Sequence, residues 1–299
     1  MTTSAIATES IKADPVQTAH AATVPTIIIR PARGWNSLEL SDLWYYRHLL
    51  FMLLWRDVKG RYRQTLLGPL WFIIRPLARM VVFSLVLGQV AKLPSEGVPY
   101  PIFTYTALLP WELFAGAIGR STGSLVEYMH IISKVYFPRL IVPIASTLSG
   151  LVDFAISFVI LLGMTLFYGF RPTPRLLMLP LLILLTIGLA LAVGMLLAAL
   201  QVRYRDVGNA LGYLVQFWFY GTPVVYSANL ITDRLPEPLQ WLYQLNPMNG
   251  VVEGFRWALL DTGRAPDWSL AATGLIVFLF MAGSAFCFRR TEHSIVDIL

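Results

Sequence analysis

Six long apolar stretches, separated by short charged segments, occupy most of this 299-residue chain. Each has at least the ~20 residues that a helix needs to cross a bilayer. Helices are expected because a segment in lipid must pair its own backbone polar groups. The predicted spans are residues 65–91, 101–124, 139–168, 176–201, 208–227 and 269–288. The sequence therefore predicts an all-α membrane protein with six transmembrane helices.

The composition agrees with a membrane protein and argues against a nucleic-acid-binding one. Hydrophobic residues make up 56% of the chain, charged residues make up 13%, and the mean hydropathy is +0.62. The net charge of +6 is positive, but the Lys and Arg residues lie at the ends of the spans rather than on one continuous face. The charges are better explained by membrane topology.

The distribution of basic residues predicts the orientation. The segment directly before the first span contains Arg47, Arg56, Lys59, Arg61 and Arg63, and the second and fourth gaps and the C-terminal tail are also basic. By the positive-inside rule, both termini are expected to lie in the cytoplasm. Arg171 and Arg175, in an external gap, fit this rule least well.

One membrane domain with a short N-terminal extension is expected. Residues 1–35 are rich in Ala and Thr and are predicted to form a cytoplasmic N-terminal extension, while residues 36–299 form the membrane domain. Residues 41–63 are predicted to form an amphipathic helix at the membrane surface, because the segment combines apolar residues at helical spacing with a basic end. The alternative is a simple topology anchor.

The gap before the last predicted span is too apolar for an ordinary external loop and is interrupted by prolines. Residues 236–262 are therefore predicted to form short re-entrant helices. Asn246 followed by Pro247 is typical of a helix start, with Asn as the N-cap and Pro at the first position. Glu253 and Arg256 are three residues apart on the second helix and are expected to pair.

One motif favours an enzyme. Gly119, Ser121 and Gly123 match G-x-S-x-G, the nucleophile pattern of hydrolases, but that site also needs a His and a carboxylate within reach. All four His residues lie outside the predicted spans, so helix packing through Gly116, Gly119 and Gly123 is the preferred interpretation. No catalytic residue is predicted.

Metal and nucleotide sites are not expected in this chain. A single cysteine, Cys287, excludes an internal disulfide and a thiolate-rich metal site. A phosphate-binding P-loop needs Gly directly before its Lys, and no Lys of this chain follows a Gly. If ATP drives the protein, a partner must hydrolyse it.

Five segments together resemble the permease subunit of polysaccharide-exporting ABC transporters, of the O-antigen, capsule or teichoic acid type. They are RDVKGRYRQTLLGPLWFIIRP (56–76), PYPIFTYTALLPWELFA (99–115), SKVYFPRLIVP (133–143), VRYRDVGNAL (202–211) and YQLNPMNGVVEGFRWALL (243–260). The resemblance implies a homodimer bound to two copies of a P-loop ATPase subunit, which holds ATP and Mg. It implies a lipid-linked polysaccharide as cargo, carried across the inner (cytoplasmic) membrane, with membrane lipids around the permease.

Aromatic residues are the predicted substrate contacts. Sugar C–H faces stack on aromatic rings, and Tyr and Trp add a polar group. The family's aromatic-lined canal at the dimer interface is expected to involve Trp71, Phe72, Tyr213, Phe217 and Tyr220. The alternative is that these rings only pack the helices together.

Two further sets of residues are predicted. The resemblance implies contacts that couple the permease to the ATPase at Arg56, Lys59, Arg61, Lys134, Tyr136, Arg139, Arg203, Arg205 and Asp206. Four charged residues fall inside predicted spans, where an unpaired ion is costly: Arg75, Arg79, Glu112 and Asp153. Asp153 is expected to pair with Arg79 or Arg75, because all three lie at similar depth.

Other functions stay open. A permease of the same family that carries a drug, haem or lipid would share the topology and the partner. An intramembrane enzyme of polysaccharide assembly is less well supported, because no acid–base constellation is found. A non-transporting scaffold is the third alternative.

Overall fold

A computed structural model of the chain describes residues 44–63, 68–135, 137–232, 236–263, 265 and 268–298. The side chains of residues 62, 69, 72, 237, 242, 268, 269 and 291–298 are outside this description. The predicted extension, 1–35, and the start of the predicted surface helix, 41–43, also lie outside the described residues, so both stay predictions.

The regular elements of the described residues are all helical. In chain order they are α1 (Arg47–Tyr62), α2 (Trp71–Phe83, continued by a π-helical segment Ser84–Val90), α3 (Tyr100–Glu127), α4 (Met129–Ile132), α5 (Ile141–Leu148), α6 (Gly150–Phe167), α7 (Leu179–Arg203), α8 (Val207–Tyr220), α9 (Ala228–Thr232), α10 (Glu237–Gln244), α11 (Pro247–Leu260) and α12 (Trp268–Ile298). Short 3₁₀ turns, Gly68–Leu70 and Pro174–Met178, precede α2 and α7.

Five of the six predicted spans coincide with helices that are long and apolar enough to cross a membrane. These are Ile73–Val90, Tyr100–Glu127, Ile141–Phe167, Pro174–Arg203 and Leu270–Arg290. They correspond to α2, α3, α5 with α6, α7 and α12. The all-helical fold class and most span positions follow from apolar length alone.

The remaining predicted span, 208–227, differs from the prediction. Its helix, α8, has 14 residues, which is about 21 Å at 1.5 Å per residue. Turns and bends follow from 221 to 226. Thr222 precedes Pro223, and the residue before a proline is disfavoured in the helical conformation. The apolar stretch is therefore longer than the helix that it contains.

Helix α3 is the centre of the bundle. It contacts α2, α5, α6, α7, α8 and α11, and its side chains are buried on most sides. Ile102, Phe103, Leu108, Phe114 and Ile118 are fully buried. A helix that is buried on most sides is apolar over most of its surface, which agrees with the largely apolar sequence of α3.

The contact between α3 and α7 differs from the predicted glycine face. A Cβ on Gly194 would lie 2.4 Å from the Cβ of Ser121, so these two residues set the closest approach of the helices. The predicted face consisted of Gly116, Gly119 and Gly123. A Cβ on either of the last two would have no neighbour within 4 Å among the described residues. The predicted packing role of these two glycines is therefore wrong within this chain.

Two helices occupy the predicted re-entrant region. Helix α10 covers Glu237–Gln244 and α11 covers Pro247–Leu260. Asn246 is the N-cap of α11, because its side-chain oxygen accepts a hydrogen bond from the backbone N–H of Met248 at 3.1 Å. The predicted helix start is confirmed. Helix α11 packs against α3, α7 and α12, so most of its residues are buried.

Candidate functional site

Helix α8 carries a row of exposed aromatic residues. Tyr213, Phe217 and Tyr220 are 68%, 75% and 62% exposed. Their spacing of four and three residues places them on one face of the helix. Rings that are this exposed are accessible to lipid, to a second protein or to a substrate.

The other face of α8 is packed against aromatic residues of α2 and α3. The ring of Trp218 lies edge-on to Phe114, with centroids 4.9 Å apart. The ring of Phe219 contacts Trp111 at 5.5 Å and stacks on Phe83 at 5.9 Å. The aromatic residues of α8 therefore divide into a packed face and an exposed face, and α8 lies beside α2.

Helix α2 exposes a ring and two cations. Trp71 is 40% exposed, and the guanidinium carbon of Arg75 lies 5.5 Å from the centre of its ring. Arg79 forms an ion pair with Glu112 of α3, and the Arg79 side chain remains 55% exposed. Arg75 and Arg79 thus lie on the surface of the chain rather than inside the bundle. The side chain of Phe72 lies outside the described residues.

Helices α2 and α8 are in contact through Phe83 and Phe219. We call the exposed aromatic and arginine residues of these two helices the aromatic–arginine surface, which consists of Trp71, Arg75, Arg79, Tyr213, Phe217 and Tyr220. Rings stack on sugar C–H faces, and guanidinium groups bind phosphate or carboxylate oxygens. The surface therefore combines weak, repeated contacts for a sugar chain with positive charge for an anionic group. It could hold such a molecule without chemical change.

The predicted partner of Asp153 is wrong. Arg79 pairs with Glu112, while a guanidinium nitrogen of Arg61 lies 2.8 Å from a carboxylate oxygen of Asp153. Arg61 is on α1, 92 residues away along the chain. The prediction compared only charges within spans and did not consider a charge on the surface helix.

One end of the bundle gathers the predicted coupling residues, and we call it the basic end. There α1 packs on α5 through a cluster that includes Leu53, Phe137, Ile141, Ala199 and Phe288. The exposed residues at this end are Arg56, Lys59, Lys134, Arg203, Arg205 and Asp206, while Arg139 is half-buried. Tyr136 lies outside the described residues. Unlike the exposed residues, Arg61 points into the bundle, where it meets Asp153.

The basic end also contains polar contacts that sequence reasoning missed. A carboxylate oxygen of Asp57 accepts a hydrogen bond from the hydroxyl of Tyr128, and the other accepts from the hydroxyl of Ser146 at 3.2 Å. Burial and the neighbouring carboxylate raise the pKa of Tyr128 above its ordinary value, so the phenol stays protonated and can donate. The only sequence signal was an acidic residue within a basic segment.

The opposite end contains a hub of polar residues around α11. The amide nitrogen of Asn246 donates to the carbonyl of Gly221 at 3.0 Å, the hydroxyl of Thr222 at 3.0 Å and the side-chain oxygen of Asn249 at 2.9 Å. Its amide oxygen also accepts from the indole N–H of Trp218 at 2.9 Å. Asn246 therefore joins the end of α8 to the start of α11.

Arg256 is fully buried near this hub. It pairs with Glu253 at 3.0 Å, which confirms the predicted pair. It also donates to the carbonyl of Val224 at 3.1 Å and lies over the ring of Phe103 at 3.6 Å. Burial lowers the pKa of Arg256, and Glu253 opposes this effect. Its contacts mark it as a structural residue that holds the 224–226 bend against α3 and α11.

The described residues include no cluster of three or more His, Cys, Asp or Glu side chains that could hold a metal ion. The groups that the chain does bring together are aromatic rings, arginines and paired carboxylates. Such groups bind and position other molecules.

Comparison with known proteins decides the family. The family model for the ABC-2 type transporter matches residues 48–260, which is more than half of the chain. The chain belongs to the ABC-2 type transporter family. This transporter is similar to the O-antigen export system permease protein RfbA of Myxococcus xanthus, with 32% identity over 260 residues that cover 85% of this chain and 97% of the relative.

Two further relatives agree with this assignment. An RfbA permease of Klebsiella pneumoniae is 25% identical over 267 residues, which cover 88% of this chain and all of the relative. The polysialic acid transport protein KpsM of Escherichia coli is 29% identical over 70 residues, or 23% of this chain and 27% of the relative. This ABC-2 permease is therefore a multi-pass membrane protein homologous to O-antigen export permeases.

Proposed function

We propose that this chain is the membrane subunit of an ATP-driven exporter that moves a lipid-linked polysaccharide, of O-antigen or capsule type, across the inner membrane. Two copies of the chain work with two copies of a separate P-loop ATPase. The chain itself catalyses no reaction and holds no cofactor, while ATP and Mg bind the partner. The homology to O-antigen export permeases supports this cargo.

The proposed topology has six crossings with both termini in the cytoplasm. Helix α8 and the segment 221–227 together make the fifth crossing, and α10 with α11 re-enter the membrane from the outer side. The concentration of exposed Lys and Arg at the basic end supports a cytoplasmic location for that end. The hub around Asn246 and Arg256 then lies toward the outside.

The aromatic–arginine surface is the observation that carries the proposal. In one copy of the chain it faces outward, with Phe217 exposed by 75%. Two copies that face each other across these surfaces would enclose a path lined by rings. Stacking depends on ring faces common to many sugars, so a repeating polymer can slide past without a deep binding site.

The basic end is proposed to receive the ATPase. Arg56, Lys59 and Lys134 are exposed there, and Arg203, Arg205 and Asp206 extend the same end. Exposed charges favour fast and specific association with a partner of complementary charge. Membrane lipids with anionic headgroups would meet the same basic residues at the edge of the bilayer.

The test replaces one exposed ring by an aliphatic side chain. Phe217→Leu keeps apolar volume but removes the stacking face, so we expect slower export of polymer per copy of permease, at normal abundance. Phe278→Leu is the matched control, because Phe278 is a 68% exposed ring on α12, outside the proposed path. Such similar-volume apolar changes usually cost below ~1.5 kcal/mol of stability. Equal export by the two variants and the wild type would contradict the proposal.

A further inference from the structure

We infer that Asp57 and Arg61 are positioning residues that fasten α1 to α3, α5 and α6, so that a push on α1 from the partner ATPase moves the bundle. This inference rests on the proposed function. It assigns to Asp57 a role that the sequence did not suggest. It also changes the role of Arg61 from a contact with the partner to an internal connection.

Arg61 makes a two-pronged contact at the junction of α5 and α6. One guanidinium nitrogen lies 2.8 Å from the carboxylate of Asp153, and the other donates to the backbone carbonyl of Ser149 at 2.7 Å. The side chains of Arg61 and Asp153 are 24% and 14% exposed. A guanidinium whose two terminal nitrogens are both bonded has a fixed orientation, which a flexible surface ion pair lacks.

Asp57 makes a second connection one helical turn away. Residues four apart face the same side of a helix, so Asp57 and Arg61 both point from α1 toward the bundle. Asp57 accepts from Tyr128, which follows α3, and from Ser146 of α5. The guanidinium of Arg56 lies over the Tyr128 ring, 4.0 Å from its centre, and closes this contact from outside.

Arg120 of α3 joins this cluster from the side of the central helix. The Nε of Arg120, on α3, donates to the carbonyl of Ser146 at 3.2 Å. Its guanidinium fills the space beside Gly150, where a Cβ would lie 1.8 Å from a guanidinium nitrogen. With Arg56, which also lies 4.0 Å from a carboxylate oxygen of Asp57, the cluster contains three arginines and two carboxylates, Asp57 and Asp153. These contacts link four helices at the basic end.

The other contacts of α1 are mainly apolar, so the hydrogen bonds of Asp57 and Arg61 would transmit a movement of α1 to the bundle. Helix α1 packs on α5 mainly through apolar residues such as Leu53 and Val58, and apolar contacts allow sliding. The bonds of Asp57 and Arg61 are directional, so they resist sliding. A displacement of α1 would therefore pull on Ser146, Ser149 and Asp153 together, where α5 meets α6.

The experiment uses two double-mutant cycles, Arg61→Gln with Asp153→Asn and Asp57→Asn with Tyr128→Phe. The control is Arg47→Gln, because exposed Arg47 of α1 donates only to a local backbone carbonyl, that of Trp44. The first measurement is hydrogen–deuterium exchange of residues 47–62 in the purified full chain. We expect faster exchange in each single variant and, in each double variant, an increase smaller than the sum of the two single increases, since the shared bond is lost only once.

The second measurement is polymer exported per ATP hydrolysed by the complete permease–ATPase complex in liposomes. We expect each single variant to lower this ratio by roughly fivefold or more, which is the lower end of the factors by which two coupled sites in a protein usually affect each other. ATP hydrolysis and assembly of the complex should persist in each variant. Unchanged exchange or additive effects would overturn the connection. A proportional fall in export and hydrolysis would overturn its coupling role and leave a structural anchor.

The two measurements separate this inference from the proposed function. If the wild-type complex exports no polysaccharide, the proposed function fails, and with it the coupling role of Asp57 and Arg61. The exchange measurement needs neither ATP nor polymer. It therefore still decides whether these two residues fasten α1 to the bundle.

Discussion

At the residue scale, polar side chains at the two ends of the bundle hold helix termini together. Asn246 uses both its oxygen and its nitrogen, so a single amide satisfies backbone and side-chain groups on two elements. Arg256 performs a similar role about three turns further along α11, where it donates to the carbonyls of Val224 and Tyr226 in the 224–226 bend. Buried polar groups destabilise a fold unless they are paired, so removal of either side chain should lower the free energy of unfolding.

Asn246 allows a test that separates donor from acceptor. Asn246→Ala removes every contact and should lower the free energy of unfolding by about 1–3 kcal/mol, the cost of leaving buried polar groups unpaired. Asn246→Asp keeps the oxygen that caps α11 and binds Trp218 but loses the donor to Gly221 and Thr222. The carboxylate oxygen that replaces the amide nitrogen would also face the carbonyl oxygen of Gly221 and the side-chain oxygen of Asn249. The loss for Asp should therefore be at least as large as for Ala, because the donor is replaced by a repelled acceptor.

The measurement is thermal unfolding of the purified chain in one detergent. The same scan applied to Gln244→Ala, on the neighbouring α10, provides the reference for an ordinary polar change. An unaltered midpoint for Asn246→Ala would contradict the role of this amide in joining α8 to α11.

At the element scale, helix contacts depend on where small residues meet. The close approach of α3 and α7 occurs at Ser121 and Gly194, although the sequence pointed to the glycines of α3. The spacing of glycines on one helix shows which face is small, but it does not show which partner lies opposite. That information comes only from the positions of both helices.

Gly194→Ala should weaken this contact. The new methyl group would overlap Ser121, whose Cβ lies 2.4 Å away and cannot rotate aside. Overpacking of this kind typically costs about 1–3 kcal/mol. Gly123→Ala is the matched control, because its Cβ would meet no atom of the described residues within 4 Å. There the substitution should be neutral or stabilising, since Ala favours a helix over Gly.

Thermal unfolding of both variants in parallel tests this contact. A lower midpoint for Gly194→Ala with an unchanged or higher midpoint for Gly123→Ala is the expected result. Equal effects of the two substitutions would contradict the assigned helix contact.

The sequence predicted elements better than it predicted contacts. Apolar length located five spans, and Asn246 with Pro247 located the start of α11, because both signals are local. The end of α8 also has a local sequence signal, Thr222 followed by Pro223. The prediction missed it because it counted only the apolar residues of the stretch 208–227. The pair of Arg61 with Asp153 was beyond reach, since it joins residues 92 positions apart on elements whose packing the sequence does not specify.

At the scale of the whole molecule, α3 connects two different ends. It has 28 residues, about 42 Å at 1.5 Å per residue, with the Arg256–Phe103 contact near its start and the Tyr128–Asp57 contact just beyond its end. The aromatic–arginine surface lies beside it on α2 and α8. In the proposed exporter, the ATPase-binding basic end, the polysaccharide path and the outer hub around Asn246 and Arg256 are therefore arranged along α3.

The central claim is that the polymer passes along the aromatic–arginine surface, and site-specific photocrosslinking tests it most directly. A photoreactive amino acid replaces Phe217 or, as the control, Phe278, in a permease–ATPase complex supplied with lipid-linked polysaccharide and ATP. The account predicts that polysaccharide is captured at position 217 and not at position 278. Capture at position 278 alone, or equal capture at both positions, would contradict it.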